Sequence, residues 1–425
     1  MMEYKSSFYR KWAIYLAIAV FPIIECIQGF IFQGDISKAL TNILAALLII
    51  VFFLLAPSSF SLKNTHSVLL AVLIFIFLLL TSSKGVISGN LQYDFFAILR
   101  SIVLGFATYS IAYAIPDQKK IKILQNSAIY AWLFVTSSII FSGLTGIGLY
   151  TYEEFSAGHK FYFPSINELT FFYIASFIIT YTLSSSTPQK YATTLATIIC
   201  FSIIGNKAFI PLLALAFSLL IFFNSSRLTR YIYAGLLLLI PLIFIAADLQ
   251  YDIISTITDG VVLILSKYSS GAEKFSTKLS YLNLFSALIS ERDMLVGIAI
   301  DLYQKSYDSI DTIIGLNLSE YGKVYGLKRG TYFSFSENDI VDIFMSYGLL
   351  GLVIFILIAT KLYRKESVTQ STASLKKTLI ILFVASGALT GHIYLFGLTC
   401  FVFSLYCGLL SRRQAKAALP QANEN

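Results

Sequence analysis

Long apolar runs separated by short polar punctuation occupy almost the whole chain between Trp12 and Leu410. A membrane-crossing helix needs roughly 20 mostly apolar residues, because the hydrocarbon core is about 30 Å thick and a helix rises about 1.5 Å per residue. That ruler predicts twelve spans, at 12–30, 39–56, 67–81, 93–115, 123–150, 169–183, 191–204, 209–223, 231–247, 340–360, 378–389 and 392–410. The seventh, eighth and eleventh are short by this measure. Gly205-Asn206-Lys207 and Gly391-His392 are then tight turns between neighbouring spans. One polar stretch is long, running about 90 residues from Asp248 to Asp339. Within it Tyr281, Leu282, Phe285, Leu288 and Ile289 recur at helical spacing, with Lys278 one turn earlier on that face. Residues 252–265 are apolar enough to lie along a membrane surface or re-enter it. The pattern therefore predicts an all-α polytopic membrane protein with a large, partly helical loop. Spans one to nine fill 1–247, the loop 248–339, spans ten to twelve 340–410, and a polar tail 411–425.

Composition makes lipid the solvent. Hydrophobic residues are 57% of the chain and charged residues 13%, about half the charged share of a soluble domain. Mean hydropathy is +0.75. Too little polar surface remains to cover a soluble fold of this size. The first apolar run follows Lys5, Arg10 and Lys11 and superficially resembles a signal peptide, but no small-x-small cleavage pattern precedes Gln33-Gly34. It reads as a retained first helix.

Charge orients the spans. With the N-terminus inside, the short inner segments hold 18 Lys and Arg residues and the short outer loops four: Lys38, Lys84, Lys160 and Lys207. Bias in short loops is the informative part of the positive-inside rule, so both termini are expected in the cytoplasm and the long loop outside. The net charge of +8 is scattered, and no basic patch with interleaved aromatics suggests nucleic acid. Cys26, Cys200, Cys400 and Cys407 all lie in apolar runs without metal-ligand spacing, and read as small hydrophobes.

The residues able to carry chemistry are few. Lys207, at the mouth of an apolar helix, has two evenly weighted readings: a harmlessly snorkelling lysine, or an ammonium at the depth of a lipid phosphate. Lys274 and Lys278, four apart, can share one helix face and one anion, although Glu273 can equally neutralise one of them. Lys328-Arg329-Gly330 is most simply a solvated loop pair. In Ser336-Glu337-Asn338-Asp339-Ile-Val-Asp342, Asp339 is the natural N-cap and Asp342 the acid of the first turn. Glu337 is not needed for capping, and a partly desolvated carboxylate there is a plausible general base for a hydroxyl. Arg100, six residues after Asp94, lies inside the fourth span; a structural pair with Glu25 or Glu168 competes with a functional role. Aromatics around His159, Lys160, Asn167 and Glu168 suit an interfacial belt or a sugar ring. No glycine-rich phosphate loop, HExxH, Walker motif or Ser/His/Asp arrangement is present, so no metal or other cofactor is expected.

Taken together, these features resemble the O-antigen polymerase and ligase superfamily of bacterial inner membranes. The topology carries most of the likeness. Gly205-Asn-Lys207-Ala resembles the family's small-x-Arg turn, and Thr277-Lys278 through Met294-Leu-Val-Gly297 its Arg-aromatic…Pro-Leu-Gly stretch. Glu337-Asn338-Asp339 before Ser346-Tyr-Gly-Leu-Leu-Gly resembles its His-Asn…Gly-x-x-Gly segment, and Ser165-Ile-Asn167 its Asn-Pro-Asn loop. Lysines stand where the family has arginines, and Glu337 where its ligases have histidine, a departure that favours a polymerase. The resemblance implies a GT-C-like, metal-independent, inverting glycosyltransferase at the periplasmic face. Its substrates would be undecaprenyl-pyrophosphate-linked glycans, its other partners membrane lipid and, optionally, a chain-length regulator. Lys207, Lys274, Lys278 and Arg329 would hold pyrophosphate, Glu337 would be the base, and His159, Lys160, Asn167 and Asn338 would meet glycan. An O-antigen ligase is the nearest alternative. A flippase of lipid-linked sugars is more distant, since flippases usually keep short loops on both sides and charges along the cavity.

Overall fold

The computed structural model describes residues 2–32, 39–55, 91–152, 157–206, 209–224, 292–332, 334–391, 394 and 397–412. The predicted third and ninth spans, the stretches at 252–265 and 281–289, His392, the end of the tail, and Lys207, Lys274 and Lys278 lie outside the described residues. So does the side chain of Arg100.

Helices lie at ten of the twelve predicted positions, the other two falling outside the described residues. They are α1 (Met2–Phe32), α2 (Ala39–Leu55), α3 (Leu91–Ile98) continuing through a π turn (Leu99–Val103) into α4 (Leu104–Ala114), α5 (Asp117–Thr145), α6 (Ile166–Leu183), α7 (Thr187–Ile204) and α8 (Phe209–Asn224). After the long loop come α12 (Asp339–Arg364), α13 (Gln370–Thr390) and α14 (Gly397–Leu410). Loop helices α9 (Arg292–Ser306), α10 (Ser309–Ile314) and α11 (Leu318–Arg329) lie between them. Among the described residues, six segments, including 94–114 and α12, are long and apolar enough to cross a membrane. The chain is an all-α membrane protein whose described residues include one small hairpin, β1 (Tyr150–Tyr152) against β2 (Ala157–His159), paired antiparallel with Tyr150 opposite His159.

Three differences from the sequence reading have a clear physical cause. The eleventh span is not short: α13 begins at Gln370, because Thr369 and Thr372 form a reciprocal cap and the polar first turns continue the helix. The fifth stops at Thr145, not Tyr150, where the chain turns into β1. The fourth is interrupted by the π turn that holds the Arg100 backbone, a local irregularity the hydropathy pattern cannot register.

α6 sits at the centre. Every residue from Glu168 to Thr180 is buried, as expected of a helix that is apolar all round. It is surrounded by α5, α7, α13 and α14. Buried polar pairs fix the register: Trp132 donates to Thr197 (3.0 Å), Thr136 pairs with Tyr173 (3.0 Å) and Ser176 with Tyr406 (2.9 Å). Small residues draw α4 and α14 together, with Gly408 facing Ala112 and the Tyr109 carbonyl. Without a hydrophobic drive between helices in lipid, such close backbone approach supplies the packing. All four cysteines are buried, in keeping with small hydrophobes.

The two ends of the bundle differ in charge. At one end Lys120 is fully buried, donating to the Ser411 carbonyl (2.6 Å) and pairing with Asp117 (2.9 Å). Lys365 lies over the Tyr113 ring, Lys377 over Phe223 and Tyr363, and Lys376 donates to the Lys365 carbonyl. The opposite end gathers the hairpin, the starts of α6 and α12, the ends of α7 and α13, and the loop helices.

Candidate functional site

The loop helices are built onto the first half of α12. Ala299, Leu302, Tyr321, Tyr325 and Met345 form a small apolar core of their own. α12 is broken at Gly348 (φ 64°, ψ −165°), a conformation open essentially only to glycine. The carbonyls exposed by the break are satisfied by the chain leaving α10: Leu316 N–H donates to Met345 O (3.1 Å) and Asn317 N–H to Ser346 O (2.8 Å). The Tyr307 hydroxyl also donates to Met345 O (2.8 Å). Gly348 packs on the Ile313 carbonyl and Gly315 on that of Ser346, leaving no room for a Cβ on either. Irregular backbone survives at membrane depth only when protein satisfies it in this way.

α11 is tied to the bundle at three heights. At its start, buried Asp94 on α3 accepts from Ser319 N–H (2.9 Å) and from the Ser319 hydroxyl (2.8 Å). The carboxylate thereby faces the positive end of the α11 dipole. Midway, Tyr321 donates to Asp342 (3.0 Å). Burial pushes the Tyr321 phenol well above its usual range, reinforced by the nearby Asp342 carboxyl, so it stays a donor. In the last turn Arg329 Nη1 donates to Ser334 (2.8 Å) and pairs with Glu337 (3.5 Å).

Arg329 and Lys328 therefore do not form a free solvated loop pair. Both end α11, and Lys328 pairs with Asp301 (2.7 Å). Asp301 also accepts from Lys305 (2.6 Å), and hydrogen bonds from Lys305 and Lys328 hold its carboxyl below the ordinary range.

The capping assignment also changes. Asn338, not Asp339, caps α12, accepting from Ile340 and Val341 N–H (both 3.2 Å). Asp339 instead accepts from Tyr394 N–H (2.8 Å). Asp342 does lie in the first turn, but its side chain turns to other partners. It is buried and accepts from Ser336 N–H (3.0 Å), the Ser336 hydroxyl (2.6 Å) and Tyr321. Local spacing is ambiguous between adjacent Asn and Asp, and the tertiary partners decide it.

Those partners fix Glu337 in left-handed backbone, φ 58°. Asp342 pins Ser336 on one side of it. Asn338 Nδ2 donates to Ala388 O (3.1 Å) on the other, and Gly391 packs on the Glu337 carbonyl. From α6, Asn167 Nδ2 donates to Thr390 O (2.6 Å). The end of α13 thus brings Glu337, Asn338, Asn167 and, through the ion pair, Arg329 into one region.

His159 and Lys160 sit beside the end of α7. Thr151 donates to Ile204 O (2.7 Å), and Gly158 packs on that same carbonyl. The His159 ring meets that of Tyr150 at a tilt, centroids 5.1 Å apart, and its buried Nδ1 has no hydrogen-bond partner among the described residues. Lys160 is buried and donates to Pro164 O (3.4 Å). Asn206, just before Lys207, donates to Thr170 (2.7 Å). Tyr321 and Ser334 were not singled out by sequence; Gly391 was noticed only as part of a turn between spans, and only the Ser-Glu-Asn-Asp capping pattern hinted at Ser336.

Fold and site together define the class: a helical membrane protein with a polar, partly charged region at one end of its bundle. No family model matches the chain, and no curated protein matches it.

Proposed function

We infer that this chain is an O-antigen-type polymerase. It joins undecaprenyl-pyrophosphate-linked repeat units at the periplasmic face by inverting, GT-C-like glycosyl transfer, with both termini in the cytoplasm of a bacterial inner membrane. The observation that carries the reading is the Arg329–Glu337 pair, a cation and a carboxylate presented side by side at the bundle end opposite the buried lysines. A positively charged inner face agrees with that orientation.

The chemistry asks little of the protein. The acceptor hydroxyl attacks the donor's anomeric carbon, forming the new glycosidic C–O bond. The bond from that carbon to the pyrophosphate oxygen breaks, and undecaprenyl pyrophosphate leaves with the electron pair. Glu337 takes the hydroxyl proton, while Arg329, with Lys207, Lys274 and Lys278 expected around it, offsets the growing negative charge. His159, Lys160, Asn167 and Asn338 border the glycan in this scheme. The Asn167 and Asn338 amides already carry structural bonds, so their part is to shape the site.

Purified protein incubated with lipid-linked repeat units in detergent should make longer lipid-linked glycan. Glu337→Gln and Lys278→Ala should each lower the yield at least about tenfold, the loss expected when one catalytic or charge-stabilising group is removed. No glycosidic bond from the wild type would overturn the function, and normal polymer from both variants would overturn the site.

A further inference from the structure

We propose that the lysine-rich end of the bundle holds the phosphate of an anionic phospholipid, with Lys365 and Lys377 as its ligands. α4, α8, α12 and α14 all finish at this end, and a helix finish exposes carbonyls that attract cations. Lys120 and Lys376 answer that need. Buried Lys120 donates to the Ser411 carbonyl and pairs with Asp117. Buried Lys376 donates to the Lys365 carbonyl.

Lys365 and Lys377 are placed differently. The Lys365 ammonium stands over the Tyr113 ring at 4.9 Å, and that of Lys377 over Tyr363 at 5.3 Å and Phe223 at 5.6 Å. A ring face attracts an ammonium but leaves its N–H donors for an oxygen. Among the described residues no oxygen accepts from either ammonium and no carboxylate pairs with either. Asp117 is engaged by Lys120, and Glu366, next to Lys365 in the chain, makes no ion pair with these lysines. Lys376 lies within charge–charge reach of both, so the three form one positive cluster. A basic pocket between helices at a bilayer surface suits an anionic headgroup.

A lipid fits this cluster better than a free anion does. Ile356 and Leu349, two and four turns from Tyr363 on the same face of α12, are 51% and 52% exposed. Acyl chains cover such a face in a membrane, so one phospholipid can set its phosphate on the lysines and its chains along α12. The site asks only that this end meets a bilayer surface, and is independent of the polymerase reading.

Native mass spectrometry of the purified full chain in detergent tests this, with phosphatidylglycerol, phosphatidylcholine or inorganic phosphate added in turn. Wild type should hold phosphatidylglycerol about tenfold more tightly than phosphatidylcholine, and should retain no inorganic phosphate. Lys365→Ala combined with Lys377→Ala should bring the two lipids within about twofold of each other. The corresponding double arginine variant should keep the preference. Lys190 stands over a single ring, that of Tyr181 at 5.5 Å, at the start of α7 and the same end of the bundle. Lys190→Ala should therefore leave the preference within about twofold of wild type. Neither Lys365 nor Lys377 bonds a protein oxygen through its ammonium, so the double alanine variant should melt close to wild type in phosphatidylcholine. If it does not fold, the single Lys365→Gln and Lys377→Gln variants should each lose at least about threefold in preference. The proposal is overturned if wild type shows no preference, if these variants retain it in full, or if Lys190→Ala loses as much as they do. Inorganic phosphate held as tightly as phosphatidylglycerol would overturn the lipid in favour of a free anion.

Discussion

Asp342 is the residue whose loss should be felt most. Its buried carboxylate accepts from three donors: Ser336 N–H at 3.0 Å, the Ser336 hydroxyl at 2.6 Å and the Tyr321 hydroxyl at 3.0 Å. Asp342→Ala strands all three. Each buried donor without an acceptor costs about 1–3 kcal/mol. The Ser336 hydroxyl already leans on the Asn338 carbonyl at 3.3 Å and can recover part of its loss there. A net destabilisation of about 3–4 kcal/mol follows, within the range for breaking a buried polar network. Asp342→Asn keeps one oxygen acceptor in the same place and should lose only about 1–2 kcal/mol. Chaotrope unfolding of the purified protein in detergent, followed by circular dichroism, gives the global number. Limited proteolysis reads the segment between α11 and α12, which should become cleavable in the Ala variant first. An Ala variant within about 1 kcal/mol of wild type, with that segment equally resistant, would refute the claim that Asp342 organises this region.

Three further outcomes follow from the same geometry. Gly348→Ala should destabilise by at least about 1–3 kcal/mol from backbone strain alone, plus the cost of displacing the Ile313 carbonyl, and a wild-type melting curve would show that the break tolerates a side chain. Gly391→Ala carries the same kind of strain at φ 63° and pushes against the Glu337 peptide; it should lower polymer yield more than Leu389→Ala, an exposed neighbour, when the two are assayed in parallel. The Asp301 carboxyl is held below its ordinary range, so its contribution to stability is present above the unfolded value and disappears as pH falls through the folded one. The stability difference between wild type and Asp301→Asn should therefore be constant from about pH 5 to 8 and shrink only below about pH 4.

How legible the site was varies residue by residue. Glu337 drew attention because Asn338 and Asp339 could account for capping without it. That inference survives even though the cap is Asn338, because either residue leaves Glu337 outside the helix. Asp94 was noticed only as a neighbour of Arg100, yet its described partner is Ser319, 225 residues away in sequence. No local pattern announces a bond of that separation. Arg329 read as a solvated loop residue because the last turn of a helix ending in Gly330 looks, in sequence, much like a turn.

Hydropathy alone determined the broad architecture: apolar runs of span length are helices, since a backbone in lipid must satisfy its own hydrogen bonds. It also marked out the long loop, which contains no apolar run of span length. What only the tertiary structure decided is everything depending on which helix meets which. The break in α12 is stable because the chain after α10 runs past it, and Glu337 is strained because Asp342, Ala388 and Gly391 converge around its flanks. Those contacts join residues tens to hundreds of positions apart, and burial energy, unlike periodicity, has no signature until the chain has folded.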